Sequence, residues 1–274
     1  MTSAGPRYTL ASTDQERARL ARQAEAARPV TERLFRRAGI GPGSRVLDVG
    51  SGAGDVAMLV AELVGDSGSV TGIDRDQAQL DTATARCVEA GLDNVRFEVA
   101  DLNDPPNGPF DAIVGRLVLM YQSDPSRAIA TLTERLMSDG VMAFVEVAMP
   151  LDGHASAMWW PRNELSPNVS AWIEAAFAAT RVVPWLGVRL PSMFRAAGLE
   201  PQDVEAVCIA YRGQEAAVMN ASLIRSMLPV IIEHDIATAD EIDIDTLADR
   251  LFAAAGDDFV YLIPPAVASW ARKI

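Results

Sequence analysis

The chain has 274 residues, of which 49% are hydrophobic, and a formal net charge of −13. This length suits one large α/β domain with an appended cap better than two full-sized domains. The acidity disfavours a nucleic-acid or anionic-membrane surface, which needs clustered Lys and Arg, so we expect a small-molecule partner. Because no uninterrupted apolar stretch of about 18 residues or N-terminal leader pattern occurs, we expect no membrane span and a cytoplasmic location.

The first 40 residues are predicted to form an N-terminal helical arm. Apolar residues recur at helical intervals from Asp14 to Ala38, and Pro29 predicts a break into two helices. Gly41-Pro42-Gly43 ends this arm and begins the next predicted segment, a core over residues 41–150.

A glycine-rich turn lies near the start of this core. The strand Arg45–Val49 leads into Gly50-Ser51-Gly52-Ala53-Gly54, and a helix follows over Asp55–Leu63. Glycines permit positive φ and leave no Cβ between the backbone and a ligand, and the helix N-terminus favours an anionic group. The turn is therefore a candidate ligand site, although such turns are also used as plain tight connections.

The next strand, Ser69–Asp74, places an acid twenty residues beyond Gly54, where a carboxylate can accept both hydroxyls of a ribose. In a nicotinamide-binding fingerprint a third glycine would fall where this chain has Asp55, which weakens the dehydrogenase interpretation. The alternation of strands and helices predicts a parallel sheet. Its later elements are a helix over Gln77–Ala90, strands over Val95–Ala100, Phe110–Val114 and Val141–Val147, and a helix over Pro125–Met137.

Four successive motifs resemble those of class I S-adenosylmethionine-dependent methyltransferases. They are Asp48–Gly54, Asp74, Val99–Leu102 and Pro109–Val114, and the resemblance covers about residues 46–147. It implies a doubly wound α/β fold with a seven-stranded, mostly parallel sheet, the Rossmann-like methyltransferase fold, and S-adenosyl-L-methionine (SAM) as cofactor. Residues 8–23 and 264–270 are also similar to small-molecule methyltransferases of bacterial natural-product pathways.

On this resemblance the cofactor-binding residues are Asp48, Gly50, Ser51, Gly52, Asp74, Arg75, Asp101, Leu102, Arg116, Gln23 and Tyr8. The family places an acid such as Asp101 on the adenine amino group and an apolar side chain such as Leu102 on the ring. The Arg116 guanidinium can fork onto the cofactor carboxylate, and an ion pair with a neighbouring acid is the alternative. Gly115-Arg116-Leu117-Val118 stands where many N-methylating relatives have Asn-Pro-Pro-Tyr, so methylation of nucleic-acid or protein amino groups loses support.

The strand and helix alternation ends after Val147. Residues 151–186 are predicted to form a helical substrate lid, because they carry many large rings; the underside of a packed cap is the alternative. Residues 187–274 are predicted to complete the core, with helices inserted over 214–255. The remaining predicted elements are a helix over Val188–Ala197, strands over Val204–Tyr211 and Phe259–Ile263, and a short helix through Trp270.

An oxygen or carbon acceptor can require removal of a proton. The candidate bases are His154, which lies early in the predicted lid and titrates near neutrality, then Glu146, an acid within an apolar strand, and Tyr121, followed by His234. Cys87 and Cys208 lack metal-ligand spacing and are expected to be buried free thiols, so no metal site is predicted.

The expected function is methyl transfer from SAM to an oxygen or carbon of an apolar small molecule, such as an aromatic, polyketide-like or terpenoid compound. Three alternatives remain: a cyclase or pericyclase that retains this fold and binds SAM, a nicotinamide oxidoreductase, and a pure binding module. The sequence leaves a homo-oligomer open, because the N-terminal arm could pack on its own core or on a neighbouring subunit.

Overall fold

The computed structural model describes residues 14–149 and 158–274 of the chain. The chain divides into two compact units. The core unit comprises Ala24–Val147, Leu186–Ala206 and Ala266–Ile274, and the described residues of the second unit are 14–23, 148–149, 158–185 and 207–265. The functional division into arm, core, lid and C-terminal part stays a prediction.

The strands in the described residues are β1 (Arg45–Val49), β2 (Ser69–Asp74), β3 (Val95–Val99), β4 (Phe110–Arg116), β5 (Leu136–Val147), β6 (Met158–Trp160), β7 (Leu199–Val207), β8 (Ala210–Arg212), β9 (Val260–Leu262) and β10 (Ala266–Lys273). The α-helices are α1 (Asp14–Arg37), α2 (Asp55–Val64), α3 (Gln77–Glu89), α4 (Pro125–Thr133), α5 (Ser166–Ala179), α6 (Leu186–Ala196), α7 (Gly213–Glu233), α8 (Ala239–Ile242) and α9 (Leu247–Ala255). Two 3₁₀ turns cover Leu119–Tyr121 and Gly256–Asp258.

A seven-stranded sheet in the order β3-β2-β1-β4-β5-β10-β7 forms the centre of the core unit. The five strands from β3 to β5 are parallel to their neighbours, whereas β10 is antiparallel to β5. The predicted fold class, an α/β protein with a seven-stranded, mostly parallel sheet, is therefore confirmed.

The central strands and α2 explain why this sheet forms. Val46, Leu47 and Val49 of β1 have no exposed surface, as expected for a strand covered on both faces. Helix α2 is apolar around most of its circumference and buries seven of its ten residues. Asp76 caps α3 by accepting a hydrogen bond from the Ala78 N–H at 2.9 Å. The parallel strands consequently deliver their carboxyl ends to one edge, where open α/β sheets bind ligands.

Several predicted elements differ in the structure. Helix α1 is continuous through Pro29 rather than split in two. Proline removes only its own backbone donor, and buried Val30, Leu34 and Phe35 keep the following turns packed. Strand β5 begins at Leu136, where that residue pairs with Phe110, so the helix before it ends earlier than predicted.

The C-terminal strands were also assigned wrongly. The predicted helix through Trp270 is strand β10, which pairs with β5 from Ala266 opposite Val147 to Arg272 opposite Val141. The predicted strand over 204–211 is divided between β7 of the large sheet and β8 of a separate small sheet, and the predicted strand over 259–263 is β9 of that small sheet. The inserted helices predicted over 214–255 are present as α7, α8 and α9, which begin at Gly213 and end at Ala255.

The second unit combines helices with the antiparallel sheet β6-β9-β8. Part of the predicted lid is thus a strand, β6, rather than helical. The Trp159 ring lies 5.5 Å from that of Phe259 and 5.9 Å from that of Tyr261, measured between centroids. Helix α7 is long and apolar enough to cross a membrane by length and composition, but half of its apolar window is buried in this structure, as in the core helix of a globular domain.

Candidate functional site

The glycine turn after β1 is held by the neighbouring strand β2. The Ser51 N–H donates to the Ile73 carbonyl at 2.9 Å, and the Gly52 N–H donates to Oδ2 of Asp74 at 3.0 Å. Gly54 has a φ of +88°, a conformation that glycine adopts at little cost, and begins α2 without a side-chain cap. The turn therefore presents backbone and unpaired helix N–H groups at the carboxyl edge of the sheet.

The segment after β4 packs directly on this turn. A Cβ added to Gly50 would lie 2.3 Å from Cγ2 of Val118, so this contact requires glycine. Leu117 adopts a positive φ of 54°, and its N–H donates to the Val145 carbonyl of β5 at 2.9 Å. The loops that follow β1 and β4 consequently form one connected edge.

Helix α3 supports the turn from the other side. Arg86 donates from Nη1 to the Ala53 carbonyl at 2.5 Å and from Nη2 to Oδ1 of Asp55 at 2.8 Å. Arg116, at the end of β4, lies with its Nη2 4.0 Å from Oδ2 of the same Asp55. Burial lowers the pKa of Arg116, and the negative charges of Asp55 and Asp48 partly restore it. The ion-pair alternative for Arg116 is thus present, at long distance, and its predicted contact with a cofactor carboxylate stays a prediction.

Asp48 in β1 is 1% exposed, and neither of its carboxylate oxygens has a hydrogen-bond partner among the described residues. Burial raises the pKa of Asp48 well above its usual range, and Asp74 and Asp55 add to this shift. The charge of Arg116 opposes it, as does the nearby backbone N–H of Ala57, which lies outside full hydrogen-bond geometry. A buried, unpaired carboxylate costs free energy unless a donor or a cation reaches it. Asp48 therefore has unused acceptor capacity, and its predicted role in cofactor binding stays a prediction.

Two acids lie at the ends of neighbouring strands: Asp74 is the last residue of β2, and Asp101 follows β3. Oδ1 of Asp74 accepts the Asp76 N–H at 3.0 Å, and both of its oxygens retain further acceptor capacity. Arg75 pairs with Oδ2 of Asp101 at 2.6 Å, while Oδ1 of Asp101 accepts the Asn103 N–H at 2.8 Å. Partial burial alone would raise the pKa of Asp101, but the bonds from Asn103 and Arg75 outweigh it and lower that pKa. The neighbouring Leu102 is buried.

Glu146 in β5 has no exposed surface. Its Oε1 accepts the N–H groups of Val118 at 2.9 Å and of Leu119 at 2.8 Å. Burial raises the pKa of Glu146 from 4.5 to about 7, although the backbone donors of residues 118–120 favour the charged form. Tyr121 is half-buried in the adjoining 3₁₀ turn, where its N–H donates to the Val118 carbonyl at 3.3 Å.

Three predicted site residues lie wholly or partly outside the described residues. Tyr8 and His154 lie wholly outside them. Gln23 belongs to α1, but its side chain is outside the described part. His234 is exposed at the C-terminal cap of α7 in the second unit. Among the described residues, Cys87 and Cys208 are both free, but Cys208 is exposed, contrary to prediction.

The core unit therefore brings the other predicted residues to one edge of the large sheet. They are Asp48, Gly50, Ser51, Gly52, Asp74, Arg75, Asp101, Leu102, Arg116, Tyr121 and Glu146. The role of each residue in binding or catalysis stays a prediction. Arg86, its partner Asp55, and Val118 also support this edge, and none of them is predicted as a site residue from the sequence. Of these, only Val118 had a signal in sequence, since it follows the strand that ends at this edge.

The edge has the glycine turn, the acids after successive strands and the strand order that define a nucleoside-binding α/β fold. A family model described as a methyltransferase domain matches residues 40–184, more than half of the chain. The chain accordingly belongs to this methyltransferase family.

Two curated relatives are named for the compounds that they methylate. The chain is 28% identical over 165 residues to the aklanonic acid methyltransferase DauC of Streptomyces sp. strain C5, covering 53% of this chain and 74% of DauC. It is 35% identical over 118 residues to the nocamycin O-methyltransferase of Saccharothrix syringae, covering 42% of each chain. The chain thus spans less than half of that second relative.

A solved structure agrees with the fold. The YcgJ protein of Bacillus subtilis superposes with a TM-score of 0.60 at 19% sequence identity, covering 89% of this chain and 98% of YcgJ. At this identity the similarity concerns the architecture alone.

Proposed function

We propose that the protein transfers a methyl group from SAM to an oxygen or carbon of an apolar small molecule in secondary metabolism. The observation that carries this proposal is the buried Asp48 carboxylate without a described partner, next to a glycine turn and in the electrostatic range of Asp74. An acidic edge of this kind suits a ligand that combines a cationic sulfonium and ammonium group with ribose hydroxyls.

The residues present fit SAM. Asp48 and the backbone of residues 50–54 would hold its amino-acid end, and Asp74 would accept ribose hydroxyls with its remaining lone pairs. Leu102 would pack on the adenine ring, and Asp101, already paired with Arg75, would accept the adenine amino group. When bound, SAM supplies an electrophilic methyl group.

The protein's own contribution to such a reaction is placement and charge. In-line displacement depends mainly on holding the acceptor atom behind the methyl carbon. The connected loops after β1 and β4 would fix the donor side, because Val118 and Gly50 are in contact and Arg86 secures Ala53. For an acceptor that must lose a proton, Tyr121 and His154 remain the proposed bases.

The relatives support the acceptor class. DauC is named for methylation of aklanonic acid, and the Saccharothrix protein for O-methylation of nocamycin. We extend to this chain only what these names share, methylation of a small molecule, and the apolar character of the acceptor follows from our sequence-based expectation.

The test is turnover with a panel of aromatic, polyketide-like and terpenoid acceptors, measured by mass spectrometry of both the acceptor and S-adenosylhomocysteine. We expect stoichiometric formation of S-adenosylhomocysteine and a methylated product. Asp74→Asn should lower turnover at limiting SAM, whereas Asp93→Asn, at an exposed position, is the matched control. Conversion of an acceptor to an isomer without S-adenosylhomocysteine would replace this proposal with the cyclase alternative.

A further inference from the structure

Glu146 connects two parts of the core unit through a carboxylate that solvent does not reach. It stands on β5, and its Oε1 accepts two consecutive N–H groups, those of Val118 and Leu119, from the segment that follows β4. These donors belong to the start of the 3₁₀ turn Leu119–Tyr121, where a chain end leaves backbone N–H groups unpaired. A strand side chain thus performs the task of a helix cap for a loop of the candidate site.

The same loop determines the space beside the glycine turn. Val118 is in such close contact with Gly50 that no Cβ would fit between them, and it also lies against Gly115. The Leu117 N–H bond to β5 fixes the segment from its other end. Any displacement of Val118 therefore changes the surface that the glycine turn presents.

We propose that Glu146 is a positioning residue, which fixes the segment Leu117–Tyr121 on the glycine turn and so maintains the shape of the SAM site. This inference rests on the proposed function. It replaces the role of general base suggested by the sequence, because the carboxylate is wholly buried and one of its oxygens already accepts two backbone N–H groups. A base must come within hydrogen-bond reach of the acceptor's proton.

The test compares Glu146→Ala with Glu146→Gln. The glutamine amide oxygen can accept the same two N–H groups, whereas alanine leaves both donors without a partner. The rate of amide hydrogen exchange in a peptide covering Leu117–Tyr121 measures how firmly the loop is fixed, and it needs no cofactor. Calorimetry with S-adenosylhomocysteine reports its consequence for the site, and kcat with saturating SAM reports any role in proton transfer.

In Glu146→Ala we expect faster exchange of the Leu117–Tyr121 peptide and a weakening of S-adenosylhomocysteine binding by about tenfold or more. Glu146→Gln should restore most of the protection and affinity and retain most of kcat. Unchanged exchange or unchanged affinity in the alanine variant would overturn the proposal. So would a loss of kcat by about a hundredfold in the glutamine variant at full affinity, which is the behaviour of a general base.

A second pair of variants keeps the proposal testable if the alanine variant does not fold. Gly50→Ala should displace Val118 and also strain the turn, because Gly50 has a φ of +68°, and it should weaken S-adenosylhomocysteine binding. The double variant Gly50→Ala, Val118→Ala should recover the part of the loss that is due to the contact between the two side chains. Strictly additive effects would contradict the coupling of the two loops. If the wild type binds no SAM, the proposed function fails, while hydrogen exchange of the free protein still decides whether Glu146 holds the loop.

Discussion

The buried carboxylate of Glu146 predicts an unusual dependence of stability on pH. Its pKa is raised from 4.5 to about 7 in the folded protein, chiefly by burial. Between these two pH values the folded state binds a proton that the unfolded state has released. The contribution of Glu146 to stability is therefore complete below pH 4.5 and is lost as the pH rises through 7.

The size of the effect follows from the shift in pKa. Each pKa unit corresponds to about 1.4 kcal/mol, so the complete loss is about 3.5 kcal/mol, of which about 2 kcal/mol falls between pH 5.5 and 8. The glutamine side chain of Glu146→Gln cannot ionise, so this variant lacks the pH-dependent contribution to stability. We expect the free energy of unfolding of the wild type to fall by about 2 kcal/mol relative to Glu146→Gln across that interval.

The assay is equilibrium urea unfolding of both proteins at several pH values from 5.5 to 8, with Glu98→Gln as the control for removing one negative charge at an exposed strand position. The difference between wild type and Glu146→Gln should level off above pH 7. A difference that stays constant with pH, or one that moves in favour of the wild type as pH rises, would refute the reasoning.

Two further predictions concern the core and the support of the glycine turn. Phe144→Ala should lower the free energy of unfolding by about 3–5 kcal/mol in urea titrations, because this fully buried ring packs against Gly115 and Phe194. Phe144→Leu should lower it by less, and an equal loss of stability in the two variants would contradict the packing argument. Arg86→Met keeps the apolar stem but removes both bonds to the turn, so calorimetry should give weaker S-adenosylhomocysteine binding by about tenfold; an equal loss in Arg96→Met, at an exposed position of β3, would point to a general charge effect instead.

The sheet core was predictable where periodicity and turn chemistry agree. The apolar run of β1, the glycine turn and the helical spacing of α2 are local signals, and the structure has them at the predicted residues. Strand β10 was mistaken for a helix because its partner, β5, is far away in sequence, and only that pairing gives Ala266–Lys273 its extended form. Helix α1 remains continuous through Pro29 because tertiary burial outweighs local helix propensity.

The candidate site shows the same division. The spacing of the motifs predicted that Asp48, Asp74 and Asp101 lie at one edge of the sheet, since the carboxyl ends of parallel strands meet there. The sequence marked Glu146 as an acid in an apolar strand, but its backbone partners lie 27 and 28 residues away, and nothing local identifies them. The contact of Arg86 with the turn likewise depends on how α3 packs, which spacing along the chain does not reveal.

The central claim is that the edge around Asp48 and Asp74 binds SAM. Calorimetric titration of the wild type, Asp74→Ala and the exposed-position control Asp93→Ala with SAM, S-adenosylhomocysteine and NADH tests it most directly. We predict binding of the first two ligands by wild type and control, weakening by about tenfold or more in Asp74→Ala, and no binding of NADH. Binding of NADH in place of SAM, or an affinity for SAM that Asp74→Ala leaves unchanged, would contradict the account.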